Sequence, residues 1–143
     1  MNISIIIPVF NERDSINQLY AEIVSGINAR DYELIFIDDG STDGTSNWLN
    51  AQSVNFPHVR LIQQEHAGPA KGRNSGVDNS IGDVIVFIDS DLVVSKSFLA
   101  AHVKTILRSC RKQKHRRVFT YGTVINTDNF NDPASEPFKL TDI

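Results

Sequence analysis

Short apolar runs alternate with segments of helical period along this chain. Four runs predict buried strands, at residues 3–9, 33–37, 59–62 and 84–88. Apolar side chains recur three and four positions apart after the first and the fourth run, which predicts a helix in each place. Turn and cap residues at 41–44 lead into a predicted helix after the second run, and the segment 68–79 after the third run is predicted to be a loop that leads into a helix. Continuous apolar strands that alternate with amphipathic helices are typical of a parallel sheet covered on both faces. We therefore expect an α/β protein with right-handed crossovers between its strands.

The predicted helices cover residues 16–27, the region of Trp48 and Leu49, the second part of 68–79, and 98–110. A fifth strand is predicted over residues 118–125. From residue 126 onward the apolar residues show neither helical nor strand periodicity. We therefore expect a core at residues 1–125, followed by an irregular tail at 126–143. Because a complete domain more often closes with another packed element, we expect the chain to be the amino-terminal part of a longer protein.

Size and composition narrow the class of protein. The 143 residues suffice for one domain, and the net charge of −3 argues against a general nucleic-acid-binding protein. Cys110 is the only cysteine, so no internal disulfide forms and a reducing compartment is expected. No signal peptide is evident, and no apolar stretch approaches the roughly 20 residues that a membrane span needs. We therefore expect a cytoplasmic protein.

Two carboxylates directly follow the fourth predicted strand. Asp89 and Asp91 flank Ser90 after an apolar run, at a position where a core has no use for acids. Two close carboxylates repel each other unless a cation lies between them. Their oxygens suit a hard ion such as Mg²⁺ or Mn²⁺. The alternative is a solvated turn in which Asp91 caps the next helix.

The second predicted strand also ends in two acids, Asp38 and Asp39. In a parallel sheet the carboxyl ends of the strands meet at one edge, and ligands of such folds bind beyond that edge. We therefore expect both acidic pairs to contribute to one nucleotide and metal site. The alternative for Asp38 and Asp39 is a polar turn, because Asp-Gly-Ser is ordinary turn chemistry.

Four segments of the chain, in this order, resemble the opening of a family 2 glycosyltransferase. They are the runs IIIPVFNE at 5–12, IDDGSTDGT at 37–45, GPAKGRNSG at 68–76 and GDVIVFIDSD at 82–91. The resemblance covers most of the chain, from Ile3 to Tyr121. It implies a Rossmann-like GT-A fold and a nucleoside diphosphate sugar donor, most commonly a UDP-sugar. It also implies Mn²⁺ or Mg²⁺ as cofactor.

The same resemblance implies roles for the acidic residues. Asp91 is implied as the main metal ligand, and Asp89 as a second ligand or a contact to the ribose, with Ser90 between them at the donor. Asp39 is implied to accept a hydrogen bond from the base, typically from uracil N3–H. The role of Asp38 stays open between substrate contact and orientation of the loop.

The end of the first strand supplies further candidates. Pro8 cannot donate to a sheet ladder, so it marks the point where the strand leaves the sheet. We expect backbone groups near Val9 to meet the base and the ring of Phe10 to pack against it. Glu12 is expected to hold the polar network of the pocket. The alternative is a strand end followed by a helix cap, for which Asn11 has a suitable side chain.

The segment 68–76 combines small residues with two cations. Arg73 is expected to clamp the diphosphate, because its planar guanidinium binds two oxygens at once. The alternative for Arg73 is a surface ion pair. The family usually has small residues where this chain has Lys71, so the role of Lys71 stays open. His66 is interpreted as a loop residue, since no second histidine lies at ligand spacing.

The implied reaction is transfer of the sugar to an acceptor hydroxyl with inversion, assisted by a carboxylate base. The base of the family lies in a later segment, so we expect it beyond residue 143 and assign neither Glu136 nor Asp142. The chain then supplies the donor-binding half, and the acceptor is a saccharide, a lipid or a protein. A non-catalytic nucleotide-binding or interaction module is the alternative. A nucleotidyltransferase is less favoured. That class normally has a Gly-rich loop after the first strand, where this chain has the residues FNER at 10–13.

A basic run extends from Arg108 to Arg117, at the end of the last predicted helix. It permits contact with an anionic membrane surface or a lipid phosphate, which would place the protein at the inner face of a membrane. The alternative, which we favour, is a helix end that complements the helix dipole and continues into a solvated loop.

Overall fold

The computed structural model describes residues 2–26, 32–113 and 118–120. The strands in these ranges are β1 (Ile3–Val9), β2 (Tyr32–Asp38), β3 (Val59–Gln63) and β4 (Val84–Phe87). They form one parallel sheet in the order β3-β2-β1-β4. The four strands predicted first and their parallel arrangement are thus confirmed.

β1 and β2 lie at the centre of the sheet and are apolar on both faces. Ile5 and Ile6 of β1 and Ile35 and Phe36 of β2 are fully buried. Alternate side chains of a strand point to opposite faces of a sheet. Both faces are therefore covered, which confirms the expected layered α/β architecture.

The helices in the described residues are α1 (Ile16–Gly26), α2 (Thr45–Asn55), α3 (Pro69–Asp78) and α4 (Phe98–Gln113). α1 buries Ile16, Leu19 and Ile23, the face that the helical spacing predicts. The rings of Tyr20 and Trp48 join α1 to α2, with centroids 5.8 Å apart.

α3 packs closely on β1 because two glycines face the sheet. A Cβ at Gly76 would lie 2.3 Å from Ile6 Cγ2, and one at Gly72 would lie 3.3 Å from Pro8 Cβ. No larger residue fits at Gly76 unless a buried strand side chain moves. Since Gly72 lies over Pro8 and Gly76 over Ile6, α3 runs antiparallel to β1. Its amino end therefore lies at the carboxyl edge of the sheet.

Pro8 ends the pairing of β1 with one neighbour but not with the other. Pairing with β2 continues to Val9, whereas pairing with β4 ends at Ile6. The Ile6 carbonyl accepts a hydrogen bond from the Ile88 N–H (3.1 Å). The next N–H of β1 on that side would belong to Pro8, which has none. The chain therefore separates from β1 just before Asp89, and the strand leaves the sheet only on this side.

One local prediction is wrong, and others lie outside the described residues. Asn11 does not cap α1, because its Oδ1 accepts a hydrogen bond from the Thr42 N–H (2.8 Å) in the next strand-to-helix loop. Residues 118–120, where the fifth strand was expected to begin, have no regular secondary structure. Residues 121–125 and the tail at 126–143 lie outside the described residues.

The chain divides into two compact units, Met1–Val103 and Lys104–Ile143. The first contains the sheet, α1 to α3 and the start of α4. The described part of the second contains the rest of α4 and residues 118–120. Within the described ranges, no helix combines the length and the apolar character that crossing a membrane requires.

Candidate functional site

The carboxyl ends of β1, β2 and β4 meet at one edge of the sheet. The Asp39 N–H, just after β2, donates to the Val9 carbonyl at the end of β1 (2.9 Å). On the other side of β1, Ile88 donates to the Ile6 carbonyl and is followed directly by Asp89. The acids that follow β2 and β4 therefore lie on either side of the end of β1.

Arg73 and Asp89 form an ion pair at this edge. Arg73 lies on the second turn of α3, and Asp89 follows the end of β4. Their side chains are 35% and 52% exposed, so the pair contributes only about 0–1 kcal/mol to folding. Of the two alternatives for Arg73, the geometry shows an ion pair, and its partner is one of the two candidate metal acids.

Ser90 is buried, whereas Asp91 is exposed and has no hydrogen-bond or ion-pair partner in the described part of the chain. Across residues 2–26, 32–113 and 118–120, no three His, Cys, Asp or Glu side chains are grouped to hold a metal ion. The edge therefore offers two carboxylates, Asp89 and Asp91. This donor set fits Mg²⁺ or Mn²⁺, because Mg²⁺ commonly uses one or two carboxylates together with substrate phosphates and waters.

Asp39 is buried, and donors from a single loop surround its carboxylate. Its Oδ1 accepts hydrogen bonds from Gln64 Nε2 (2.7 Å) and from the Ala67 N–H (2.9 Å). Its Oδ2 accepts one from the Gly68 N–H (2.8 Å) and lies 2.9 Å from His66 Nδ1. A carboxylate has about four lone-pair sites. All of them have a partner within the chain.

The pKa of the Asp39 carboxyl is lowered by these contacts. Burial alone would raise the pKa, because the charged form loses hydration. The hydrogen bonds from Gln64 and from the amides of Ala67 and Gly68, with the nearby His66, outweigh burial. Asp39 is therefore ionised at neutral pH and ties the loop before α3 to the end of β2.

The Asp38 carboxylate accepts hydrogen bonds from a different part of the chain, the connection between β2 and α2. It is buried, and its Oδ1 accepts a hydrogen bond from the Ser41 N–H (3.0 Å) while its Oδ2 accepts one from the Ser46 hydroxyl. Both bonds close the connection between β2 and α2. Of the two roles left open for Asp38, this geometry corresponds to orientation of the loop.

Phe10 and His66 form an exposed aromatic pair at the same edge. Their ring centroids lie 4.4 Å apart and the ring planes are inclined by 37°. Phe10 is 45% exposed, although it is a large apolar side chain. Aromatic faces that remain in solvent offer a stacking surface to a planar ligand.

Glu12 connects two loops at the start of α1. Its N–H donates to Thr45 Oγ1 (3.0 Å), its carbonyl accepts from the Ile16 N–H (2.9 Å), and its carboxylate accepts from the Ser15 hydroxyl. These contacts hold the segment that carries Phe10. Glu12 thus lies in a polar network, although its donors belong to the helix start rather than to an open pocket.

Two partners of Asp39 were not identified as such from the sequence. Gln64 directly follows β3 and His66 lies two residues further on, at the edge where the other site residues lie. Polar residues after β3 could therefore have been included by the rule applied to the other strands.

Lys71 is exposed on α3. Within the basic run, residues 114–117 lie outside the described residues.

The chain belongs to glycosyltransferase family 2. The family described as "Glycosyl transferase family 2" matches residues 4–128. The uncharacterized glycosyltransferase YfnE of Bacillus subtilis (strain 168) is 35% identical over 108 residues, which cover 73% of this chain and 26% of that protein. The resemblance carried by the four sequence motifs is thus confirmed.

Solved structures share the fold. The crystal structure of S. aureus TarS 1–349 in complex with UDP-GlcNAc has a TM-score of 0.66 and 26% identity, and it covers 76% of this chain and 32% of that chain. The mannosyltransferase PcManGT from Pyrobaculum calidifontis, in complex with GDP-Man and Mn²⁺, has a TM-score of 0.66 and 28% identity, with coverage of 72% and 31%. The sheet and its helices therefore form a GT-A fold. The chain spans about a quarter to a third of the length of these three matched chains, of which the TarS chain is the fragment 1–349.

Proposed function

We propose that this chain binds a nucleoside diphosphate sugar, with a UDP-sugar as the first candidate, for transfer of the sugar to an acceptor hydroxyl. Family membership supports glycosyl transfer as the reaction class. The two related structures described above contain UDP-GlcNAc and GDP-Man, which supports a nucleotide-sugar donor for this chain. The observation that carries the proposal is the Arg73–Asp89 ion pair.

This ion pair joins a cation and an acid at the place where a diphosphate and its metal ion would meet. A guanidinium binds diphosphate oxygens well because it presents several donors in one plane. Both side chains are partly exposed, so each can exchange its partner at little desolvation cost. Donor binding would then turn one ion pair into two, with Arg73 on the diphosphate and Asp89 on the cation.

Asp91 and Asp89 are the proposed ligands of Mn²⁺ or Mg²⁺. A divalent ion at this position would stabilise the negative charge that develops on the leaving nucleotide. Asp91 is the stronger candidate, because it is exposed and unpaired within the described residues, whereas Asp89 faces Arg73. Ser90, buried between them, would keep the two acids on one short turn. Arg73 would add a second positive charge near the diphosphate.

The nucleobase is proposed to lie over the ends of β1 and β2, near the backbone of Pro8 and Val9. Phe10 would supply the stacking surface. Asp39 can accept an N–H from the base only if one of its present donors moves away, since its lone-pair sites are filled. His66 is the candidate for this exchange, because its side chain is 61% exposed. Asp38 and Glu12 would act as positioning residues.

The remaining part of the reaction needs a general base and an acceptor site. In an inverting transfer, a carboxylate takes the proton of the acceptor hydroxyl while that oxygen displaces the nucleotide in line. Asp38 and Asp39 are hydrogen-bonded within the protein, and Asp89 and Asp91 are proposed as metal ligands. We therefore assign no described residue as the base. The contribution proposed for this chain is donor binding, with a saccharide, lipid or protein as acceptor.

Titration calorimetry with UDP, GDP and dTDP, each with and without Mn²⁺, tests the proposal. We expect UDP to bind most tightly, and Mn²⁺ to strengthen binding by at least about tenfold, because the ion offsets repulsion between diphosphate and carboxylates. Circular dichroism provides the control that the protein is folded. Absence of metal-dependent binding of all three nucleotides to the folded protein would refute the proposal. Equally tight binding without metal would favour the non-catalytic nucleotide-binding module instead.

A further inference from the structure

The segment that follows the two candidate metal acids is attached to α1. Residues 92–97 lead from Asp91 to α4 without regular secondary structure. In this segment the Val94 N–H donates to Glu22 Oε2 on α1 (3.0 Å). The other oxygen of Glu22, Oε1, accepts from Gln18 Nε2 one turn earlier on the same helix (3.0 Å). Both oxygens of the Glu22 carboxylate therefore have partners, which fix the direction of the side chain.

Gly26, one turn beyond Glu22, allows the same segment to approach the helix backbone. A Cβ at Gly26 would lie 3.0 Å from the Lys96 carbonyl oxygen and 3.4 Å from Lys96 Cα. A side chain at this position would therefore press on the backbone of Lys96. α1 thus contacts the segment at two points, through a side chain at Glu22 and through close backbone approach at Gly26.

The turn that carries the two acids, at residues 89–92, is attached to a different element at its start. The Ile88 N–H donates to the Ile6 carbonyl (3.1 Å), which joins the loop to the sheet. Between this point and Val94, the Leu92 N–H donates to the Asp89 carbonyl (3.3 Å) and closes a turn around the acids. The position of the turn therefore depends on the sheet before it and on α1 after it.

We propose that α1 positions the turn at residues 89–92, with Glu22 and Gly26 as positioning residues for Asp91. The inference rests on the proposed function, since it assumes that Asp91 serves a metal and diphosphate site. Val94 lies three residues from Asp91, a span of at most about 11 Å. With so short a connection, we expect a displacement at Val94 to shift the Asp91 carboxylate. α1 is a firm support because its inner face, which includes Ile23, is buried in the core.

Glu22→Ala and Glu22→Gln, made in the full chain, provide the test. Titration calorimetry uses whichever of UDP, GDP and dTDP binds the unaltered chain most tightly, with and without Mn²⁺. Loss of the acceptor in Glu22→Ala is expected to weaken metal-dependent binding about tenfold and metal-free binding less than twofold. Glu22→Gln keeps a side-chain oxygen for the Val94 N–H and is expected to restore affinity to within about threefold.

A second variant and a matched control complete the design. Gly26→Ala, which presses on Lys96, is expected to weaken metal-dependent binding in the same direction. Ser25→Ala is the control, because Ser25 is exposed and its hydroxyl donates to the Glu22 carbonyl (2.9 Å) rather than to the loop. It is expected to bind like the unaltered chain. Thermal unfolding of each variant shows whether it is folded at the titration temperature.

The outcomes separate this inference from the proposed function. Metal-dependent binding in Glu22→Ala as tight as in the unaltered chain would overturn the positioning role. Equal losses in Glu22→Ala and Glu22→Gln, or equal losses with and without Mn²⁺, would also overturn it, because they indicate general damage. If the unaltered chain shows no metal-dependent binding, the proposed function itself fails and this inference fails with it.

Discussion

The two ends of the parallel sheet both contain acids, but the surroundings of these acids differ. Near the amino end of β2, Glu33 is buried, and its Oε1 accepts hydrogen bonds from the Ser4 hydroxyl (2.6 Å) and the Ile81 N–H (2.8 Å). Its Oε2 pairs with Arg60 at 2.8 Å. Glu33 thereby joins β1, β3 and the turn before β4. At the carboxyl edge, by contrast, Asp89 is exposed and its ion-pair partner is partly exposed.

Hydration and the number of available lone pairs explain the difference. A buried carboxylate is stable in its charged form only when its lone pairs are used within the protein. Glu33 therefore holds the fold together and has little capacity for a ligand. Asp91 is exposed and Asp89 is only half-covered by its ion pair with Arg73, so both carboxylates can exchange water for a cation. Asp39 is intermediate, because it is buried and hydrogen-bonded like Glu33 but one of its partners, His66, has an exposed side chain.

Glu33→Ala is expected to have the largest effect and tests the structural role of the amino end. It removes the acceptor for the Ser4 hydroxyl and the Ile81 N–H and the partner of Arg60. We expect the free energy of unfolding to fall by about 3 kcal/mol. Urea unfolding followed by circular dichroism measures this change. Glu65→Ala, at an exposed loop position, is the control and is expected to change stability by less than about 0.5 kcal/mol.

A loss below about 1 kcal/mol in Glu33→Ala would contradict the comparison, because it would lie within the range of an ordinary surface contact. The network around Glu33 would then be replaceable by water. The same unfolding curves show whether the transition stays cooperative, since an unchanged slope with urea indicates that the change is in stability alone.

Asp91→Asn tests the opposite end and is expected to affect binding rather than stability. Removal of one carboxylate charge is expected to cost about 2 kcal/mol of metal-dependent nucleotide binding, roughly a 30-fold loss of affinity by calorimetry. The free energy of unfolding is expected to stay within about 0.5 kcal/mol, because Asp91 is exposed. Asp78→Asn makes the same chemical change at an exposed residue. Asp78 lies at the carboxyl end of α3, away from the carboxyl edge of the sheet, so this variant should leave binding unchanged.

Two results would contradict this part of the comparison. If Asp91→Asn binds the nucleotide with Mn²⁺ as tightly as the unaltered chain, Asp91 is not a metal ligand. If it instead unfolds as easily as Glu33→Ala, the acid at the carboxyl edge is structural, and the contrast between the two ends of the sheet disappears.

The sequence predicts the framework of this fold well, because the framework depends on apolar periodicity. The strands around Ile6 and Ile35 are apolar on both faces, so their buried position follows from the continuous apolar runs in the sequence. The prediction that Asn11 caps α1 is wrong because of a contact that is distant in sequence. The Asn11 side chain accepts a hydrogen bond from Thr42, 31 residues away, and no local pattern contains that partner.

The site was predictable in its location but not in the state of each residue. The rule that strand ends meet at one edge predicts that Asp39 and Asp89 share that edge, but the strand order that puts them on either side of β1 comes from the structure. The rule does not show that Asp39 is saturated by the loop before α3, because that depends on how the loop folds back onto β2. It also gives no role to Glu22, whose contact with Val94 joins residues 72 positions apart.

The smallest expected effect concerns the pH dependence of stability and tests whether Glu33 acts through its charge. Burial by itself would raise the pKa of the Glu33 carboxyl, but the hydrogen bonds from Ser4 and Ile81 and the nearby Arg60 lower it below its ordinary value. A carboxyl with a lower pKa in the folded chain stabilises the fold above its unfolded pKa, near 4.3. This contribution is lost as the pH falls through the folded pKa.

Glu33→Gln cannot titrate, so its free energy of unfolding should fall less steeply below about pH 4 than that of the unaltered chain. The two curves should converge in acid, where Glu33 is also neutral. Asp39, whose pKa is lowered too, retains part of the slope in both proteins. Urea unfolding at a series of pH values measures this difference. Parallel curves would mean that Glu33 stabilises the sheet through its shape and hydrogen bonds and not through its charge.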